Sequence, residues 1–145
     1  MKFTKEDVPD QVQLKESIDE LADIIYASNY LRHGRTYEKV QAMVGQGIIA
    51  EEYLIQNLGF ENDRMKYHDV KKDGVCYEIK AWSITPTTEK IISQHLIKFR
   101  KWRKYGVNPN SPYNCSKLII FAFNKGVYEF YKMYDIDSGE EVDYE

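Results

Sequence analysis

The chain has few of the residues that build disulfide scaffolds and zinc sites. Its 145 residues include two cysteines and three histidines, and neither type recurs at the spacing of metal ligands. The longest apolar run, 118–123, falls far short of the ~18 residues that span a bilayer. No apolar segment follows Met1, so a secretory signal is not expected. These absences argue against secreted and membrane classes, and favour one domain of 1–145 in a reducing cytoplasm.

A strong overall charge is also missing, because the net charge is only −3. Its distribution along the chain is uneven. Residues 1–24 carry three basic and seven acidic side chains, and residues 129–145 carry one basic and seven acidic. The middle, 25–128, carries 16 basic and nine acidic side chains, a net charge of +7. Because phosphates respond to local charge, this basic middle indicates a nucleic-acid partner.

The strongest local signal is a β-hairpin. An Asp-Gly pair at 73–74 between apolar-rich arms predicts a two-residue turn and a hairpin over 67–80. In that register Asp69 lies opposite Glu78, with Cβ atoms roughly 4.5–5.5 Å apart on one face. Lys80 shares the face, because side chains alternate along a strand. Two facing carboxylates repel, and a divalent metal is the counter-charge that suits them.

The stretch before the hairpin is predicted to be a helix. It covers 47–58 and ends at Gly59, a residue typical of helix C-termini. Glu51 and Glu52 interrupt its apolar stripe, where a buried contact is otherwise expected. An acid on this helix is therefore a third candidate for the site.

These elements together resemble the PD-(D/E)xK nuclease superfamily over about residues 46–133. Asp69 and the Glu-Ile-Lys triplet at 78–80 match its acidic residue and its Glu-x-Lys strand. Glu51 matches the acid that the superfamily's first helix lends to the metal site, with Glu52 as the alternate. His68 stands where the eponymous proline would be, a departure that is widespread in the superfamily.

The resemblance implies a metal-dependent DNA endonuclease of restriction, junction-resolving or homing type. Glu51, Asp69 and Glu78, with the carbonyl of Ile79, would coordinate Mg²⁺ or Mn²⁺. Lys80 would orient or deprotonate the attacking water and stabilise the transition state, so the catalytic set is these three acids and this lysine. Double-strand cutting by so small a chain requires two active sites, so a homodimer is expected.

A basic helix is predicted after the hairpin. It begins near Thr85 and Pro86 and ends at 105–106, and five of the seven residues 98–104 are basic. In the superfamily the helix after the Glu-x-Lys strand borders the DNA cleft, which implies a phosphate-binding role here. The residues expected to bind DNA are Lys90, Gln94, Lys98, Arg100, Lys101, Arg103 and Lys104.

The remaining pattern predicts the outer parts of an α/β fold. Helices over 10–31 and 36–44 form an N-terminal extension, 1–45, before a core at 46–133. Strands are expected at 117–123 and 127–133, and 134–145 reads as a frayed acidic tail. The resemblance implies a restriction-endonuclease-like core, a central mixed sheet of about four strands flanked by helices.

Two other functions stay open at this point. One is a catalytically inactive nucleic-acid-binding module with the same fold and the same basic helix. The other is a protein-interaction domain, whose partner surface would be the acidic termini and a helical stripe, Leu14, Ile18, Leu21 and Ile25. The residues do not decide which DNA sequence or structure is recognised.

Overall fold

The computed structural model describes residues 1–63, 69–108 and 112–144. In these ranges the chain has mixed α/β structure, as predicted. The helices are α1 (Gln11–Ala27), α2 (Asn29–Arg32), α3 (Tyr37–Leu58) and α4 (Thr88–Tyr105). The strands are β1 (Lys2–Thr4), β2 (Glu61–Asn62), β3 (Val70–Lys72), β4 (Val75–Trp82), β5 (Cys115–Asn124), β6 (Val127–Asp135) and β7 (Glu141–Val142).

All the strands of the described ranges belong to one sheet. Its order is β1-β6-β5-β4-β3-β2, and β7 pairs with β6 on a separate path. Among the described strands only β4 and β5 pair in parallel, and α4 supplies the crossover that a parallel pair requires. In the described ranges the sheet has seven strands instead of about four. The three strands that were not predicted, β1, β2 and β7, have only two or three residues each. Strands so short show no alternating pattern in a sequence.

The hairpin has the predicted register. Val70 pairs with Tyr77, and Lys72 pairs with Val75. The turn residues Asp73 and Gly74 have φ angles of 50° and 81°, the positive values that a two-residue hairpin turn requires. Positions 67 and 68 of the predicted first arm lie outside the described residues.

The sheet separates two apolar clusters, and this fixes which side chains share a face. On the α3 face, Ala50 and Leu54 pack with Val70, Ile79 and Ala81. On the α4 face, the alternate residues of β4 meet the helix, in a cluster of Cys76, Ile92, Leu96, Phe99, Leu118 and Ile120. Residues 78 and 80 therefore lie on the α4 face.

The N-terminal helices differ from the prediction in their ends. α3 is continuous over 37–58, so the predicted boundary at 45–46 falls inside it. Gly45 does not break the helix, and α1 packs against this position: an added Cβ there would lie 3.6 Å from the Cδ1 of Ile18, an ordinary contact. α1 ends at Ala27 instead of 31, because the Ser28 hydroxyl accepts a hydrogen bond from Leu31 N and starts α2.

Both ends of the described chain join the sheet. β1 pairs with β6, so the N-terminal extension is not purely helical. The acidic segment 135–144 is ordered and not frayed, because Ile136 is fully buried and β7 pairs with β6. None of the helices in the described ranges is both long enough and apolar enough to cross a membrane.

Candidate functional site

The two predicted carboxylates meet on the α4 face of the hairpin. Glu78 on β4 is 7% exposed, and it lies close enough to Asp69 for its charge to act on that carboxyl. Asp69 Oδ2 also accepts a 2.7 Å hydrogen bond from Ile79 N, which holds it against β4. Burial, and then the negative charge of Glu78, raise the pKa of Asp69 well above its usual value. The metal-free pair therefore binds a proton more tightly than an isolated aspartate does.

Tyr113 is a third member of the site that sequence reasoning missed. Its Oη donates a 2.7 Å hydrogen bond to Glu78 Oε1, and both side chains are buried. Burial, and then the charge of Glu78, raise the pKa of Tyr113, so it stays a hydrogen-bond donor. The parallel pairing of Cys76 with Cys115 brings Tyr113 beside β4. No periodic pattern marks this residue in the sequence, because it precedes a strand in a loop.

Lys80 lies on the same face as Glu78, as the alternation of the strand predicts. Its Nζ is 4.0 Å from Glu78 Oε2, and its side chain is 30% exposed. The ammonium also lies 5.9 Å from the ring centroid of Phe99 on α4. One cation with access to solvent thus borders the carboxylate pair.

α4 brings two further nitrogen-bearing side chains to the site. Lys98 Nζ lies 5.1 Å from the ring centroids of both Phe99 and Trp102. Partial burial, and then the charge of Lys80, lower the pKa of Lys98. Burial, Lys98 and Lys80 lower the pKa of His95 to about 4, so this imidazole is neutral at neutral pH. Only Lys98 of these two was in the predicted DNA-binding set.

Glu51 and Glu52 lie on α3, which packs on the opposite face of the sheet. Glu52 is 2% exposed, and its Oε1 accepts a 3.2 Å hydrogen bond from Ser17 Oγ of α1. Glu51 is also buried. It lies roughly 200° around the helix from Tyr53, whose ring stacks on Phe3 at the β1 side of the sheet. Glu51 therefore projects from a different side of α3 than Tyr53 does.

The available donors fit a hard divalent cation in part. Within residues 1–63, 69–108 and 112–144, no three His, Cys, Asp or Glu side chains are grouped closely enough to hold a metal ion. Glu51 is accordingly not brought to Asp69 and Glu78. Two carboxylates and the carbonyl of Ile79 form an oxygen-only donor set. Mg²⁺ is commonly held by one or two carboxylates, with substrate phosphates and water completing its shell.

The predicted DNA-binding residues of α4 divide into two groups. Arg103 makes a bidentate ion pair with Asp137, at 2.7 and 2.9 Å, and donates to Asn114 O. Arg100 Nε donates to Ile136 O at 3.3 Å. These two cations hold the C-terminal segment against the helix. Lys98 lies at the site of the carboxylate pair, and the remaining four residues are exposed: Lys90, Gln94, Lys101 and Lys104.

Comparison with known proteins found no relative of this chain. No protein-family model, curated protein or solved structure matches the chain. What the chain does is therefore inferred from its own residues and from their arrangement on the hairpin and α4.

Proposed function

We propose that the chain is a metal-dependent DNA endonuclease of the PD-(D/E)xK type, with Asp69, Glu78 and Lys80 at its centre. One observation carries the proposal: two carboxyl groups face each other across a hairpin in buried surroundings, with a lysine on the same strand face. Keeping two buried acids together is unfavourable, and the Lys80 ammonium, 4.0 Å from Glu78 Oε2, offsets this only in part, because the pKa of Asp69 is still raised. A bound divalent cation makes the same arrangement favourable.

The order of elements around the hairpin supports the proposal. An acid-bearing helix, α3, precedes it, and a basic helix, α4, follows the strand that carries Glu78 and Lys80. The strands β2, β3, β4 and β5 of this stretch lie side by side in the sheet. The resemblance implies this combination of a helix before and a helix after the Glu-x-Lys strand.

Each residue of the site has a distinct role in phosphodiester hydrolysis. A divalent metal, when bound, polarises the scissile phosphate and lowers the pKa of a water molecule. Asp69 and Glu78, with the carbonyl of Ile79, supply the ligand oxygens. Lys80 stabilises the negative charge that develops on the phosphoryl oxygens, and Lys98 adds a second positive charge near it. Because the pKa of Asp69 is raised in the metal-free protein, metal affinity should rise with pH.

A catalytically inactive DNA-binding module is the second candidate. Glu51 lies on α3, on the other face of the sheet from Asp69 and Glu78. Because this third carboxylate is not beside the pair, the arrangement also suits a protein that keeps the fold and the basic helix without turnover. Activation by Mg²⁺ separates the two candidates, because only the nuclease would cut DNA when the metal is added.

A cleavage assay with matched variants tests the proposal. Purified chain is incubated with linear duplex, four-way junction and single-stranded DNA, in Mg²⁺ and then in chelator. Asp69→Asn and Lys80→Met should each reduce cleavage by about 100-fold or more and retain DNA binding. Asp73→Asn is the control, since it removes an exposed acid of the same hairpin at a φ angle that asparagine accepts.

Three results would count against the nuclease. Cleavage by purified Asp69→Asn at the rate of the wild type would contradict the role of the carboxylate pair. Binding that weakens steeply with salt, without cleavage of any substrate, would favour the inactive module. Absence of DNA binding at low salt would favour the protein-interaction domain.

A further inference from the structure

A cavity of about 320 Å³ lies at the end of β4, next to the site described above. Its walls include Trp82, Ser83, Thr88, Ile91 and His95. Ligand sites typically measure roughly 300–1,000 Å³, so this cavity is at the small end of the range. It suits a single flat group better than a length of chain.

The cavity lies close to Lys80. Trp82 is two residues further along β4 and on the same face, which places it about 7 Å from Lys80 along the strand. His95, from the other wall, is close enough to Lys80 and Lys98 for their charges to lower its pKa. A phosphate held at Lys80 would therefore have its neighbouring nucleotide at the mouth of the cavity.

The chemistry of the walls favours a neutral aromatic group over a phosphate. The described residues around the cavity are aromatic, aliphatic, hydroxyl-bearing or amide-bearing, and none of them is charged. The rings of Trp82 and His95 have centroids 5.1 Å apart. Nucleobases stack on such rings irrespective of sequence.

His95 also offers a buried polar atom that needs a partner. Its Nδ1 is buried and has no hydrogen-bond partner among the described residues. Such atoms are rare in native proteins, because leaving one unsatisfied is unfavourable. Because this atom is enclosed by the protein, the case for a bound base rests on the ring surfaces of Trp82 and His95 and not on this nitrogen.

We propose that this cavity takes one unstacked base of the substrate strand, beside the phosphate that is cut. The inference rests on the proposed nuclease function and names its substrate class: DNA with an unpaired nucleotide, as in single strands, flaps or bulges. An intact duplex would have to extrude a base to use the cavity, which disfavours it.

Two tryptophan substitutions on α4 test the proposal. Ile91 lines the cavity and is 38% exposed, whereas Ile97 is 63% exposed on the same helix and does not line it. Ile91→Trp fills the cavity, and Ile97→Trp is the matched control. Affinities for a single-stranded 20-mer and for its duplex are measured by fluorescence anisotropy in chelator, so that no cleavage occurs. Circular dichroism checks that each variant folds.

The expected result is a preference that depends on the cavity. The wild type and Ile97→Trp should bind the single strand about tenfold more tightly than the duplex, the order of one base stack. Ile91→Trp should lose this preference and keep its duplex affinity. Trp82→Leu, which retains apolar volume and removes the stacking surface, should do the same, and Trp82→Phe should restore the preference.

Other results overturn the base site, and they are distinguishable from failure of the nuclease. Equal wild-type affinity for both DNA forms, or an unchanged preference in both Ile91→Trp and Trp82→Leu, contradicts the base site even when Mg²⁺-dependent cleavage is found. A cavity-dependent preference without cleavage supports the base site and contradicts the nuclease. Absence of binding to either DNA contradicts both.

Discussion

Tyr113 donates a 2.7 Å hydrogen bond from Oη to Oε1 of Glu78, and both side chains are buried. The contact joins a loop residue before β5 to the centre of β4, 35 positions apart in the chain. It fixes one oxygen of a carboxylate whose other oxygen, Oε2, lies 4.0 Å from Lys80 Nζ. The hydrogen bond from Tyr113 thus orients the Glu78 side chain.

Removing the hydroxyl of Tyr113 should destabilise the metal-free protein. Tyr113→Phe leaves the Glu78 carboxylate buried and short of one donor, a loss of about 1–3 kcal/mol in the free energy of unfolding. Urea denaturation in chelator measures it. Tyr105→Phe is the control, because Tyr105 is 67% exposed and should change stability little. Equal stability of the two variants would mean that the hydrogen bond contributes nothing net.

Stability should depend on pH through Asp69. Folding raises the pKa of this carboxyl, so between its unfolded pKa of about 3.9 and its folded pKa the native state binds more protons. Asp69 therefore lowers stability progressively as pH rises through that window. Asp69→Asn removes this effect. The free energy of unfolding of the variant, relative to that of the wild type, should therefore increase as pH rises from about 4 and then level off.

Urea midpoints in chelator across that range give the comparison, with Asp73→Asn in parallel. Asp73 is an exposed acid in the turn. The difference in urea midpoint between Asp73→Asn and the wild type should therefore not grow with pH. A flat difference for Asp69→Asn as well would contradict the enclosed carboxylate pair.

The hairpin was predictable because its determinants are local. The pair Asp73 and Gly74 fixes a turn with positive φ angles, and the turn fixes the register of both arms. Alternation along β4 then places Glu78 and Lys80 on one face. The position of Tyr113 could not be predicted in this way, because it depends on the parallel pairing of β4 with β5 and on the α4 crossover.

Other parts of the fold depended on contacts that a local pattern does not contain. The sequence predicts a boundary at 45–46, yet α3 continues through it, and α1 packs against that position. The segment after 134 reads as an acidic tail, yet Asp137 pairs with Arg103 and Ile136 is buried. In both cases tertiary contacts override what propensity and charge indicate.

The two groups of cations on α4 should behave differently toward DNA. Lys101→Ala removes an exposed charge and should lower the magnitude of the salt-dependence slope of DNA binding by about 1. Arg103→Ala removes a cation already paired with Asp137. It should leave the slope unchanged and lower the free energy of unfolding by about 1 kcal/mol. Anisotropy titrations at several salt concentrations, with urea denaturation alongside, measure both quantities. Equal slope changes for the two variants would contradict this division.

The most direct measurement of the central claim is Mn²⁺ binding to the folded chain, followed by the electron paramagnetic resonance signal of the free ion. Wild type and Asp73→Asn should take up Mn²⁺ at a site that Mg²⁺ competes for, with affinity that rises with pH as Asp69 loses its proton. Asp69→Asn and Glu78→Gln should each lose that site, while circular dichroism shows them folded. Unchanged Mn²⁺ uptake by folded Asp69→Asn would contradict the claim that this carboxylate pair is a metal site.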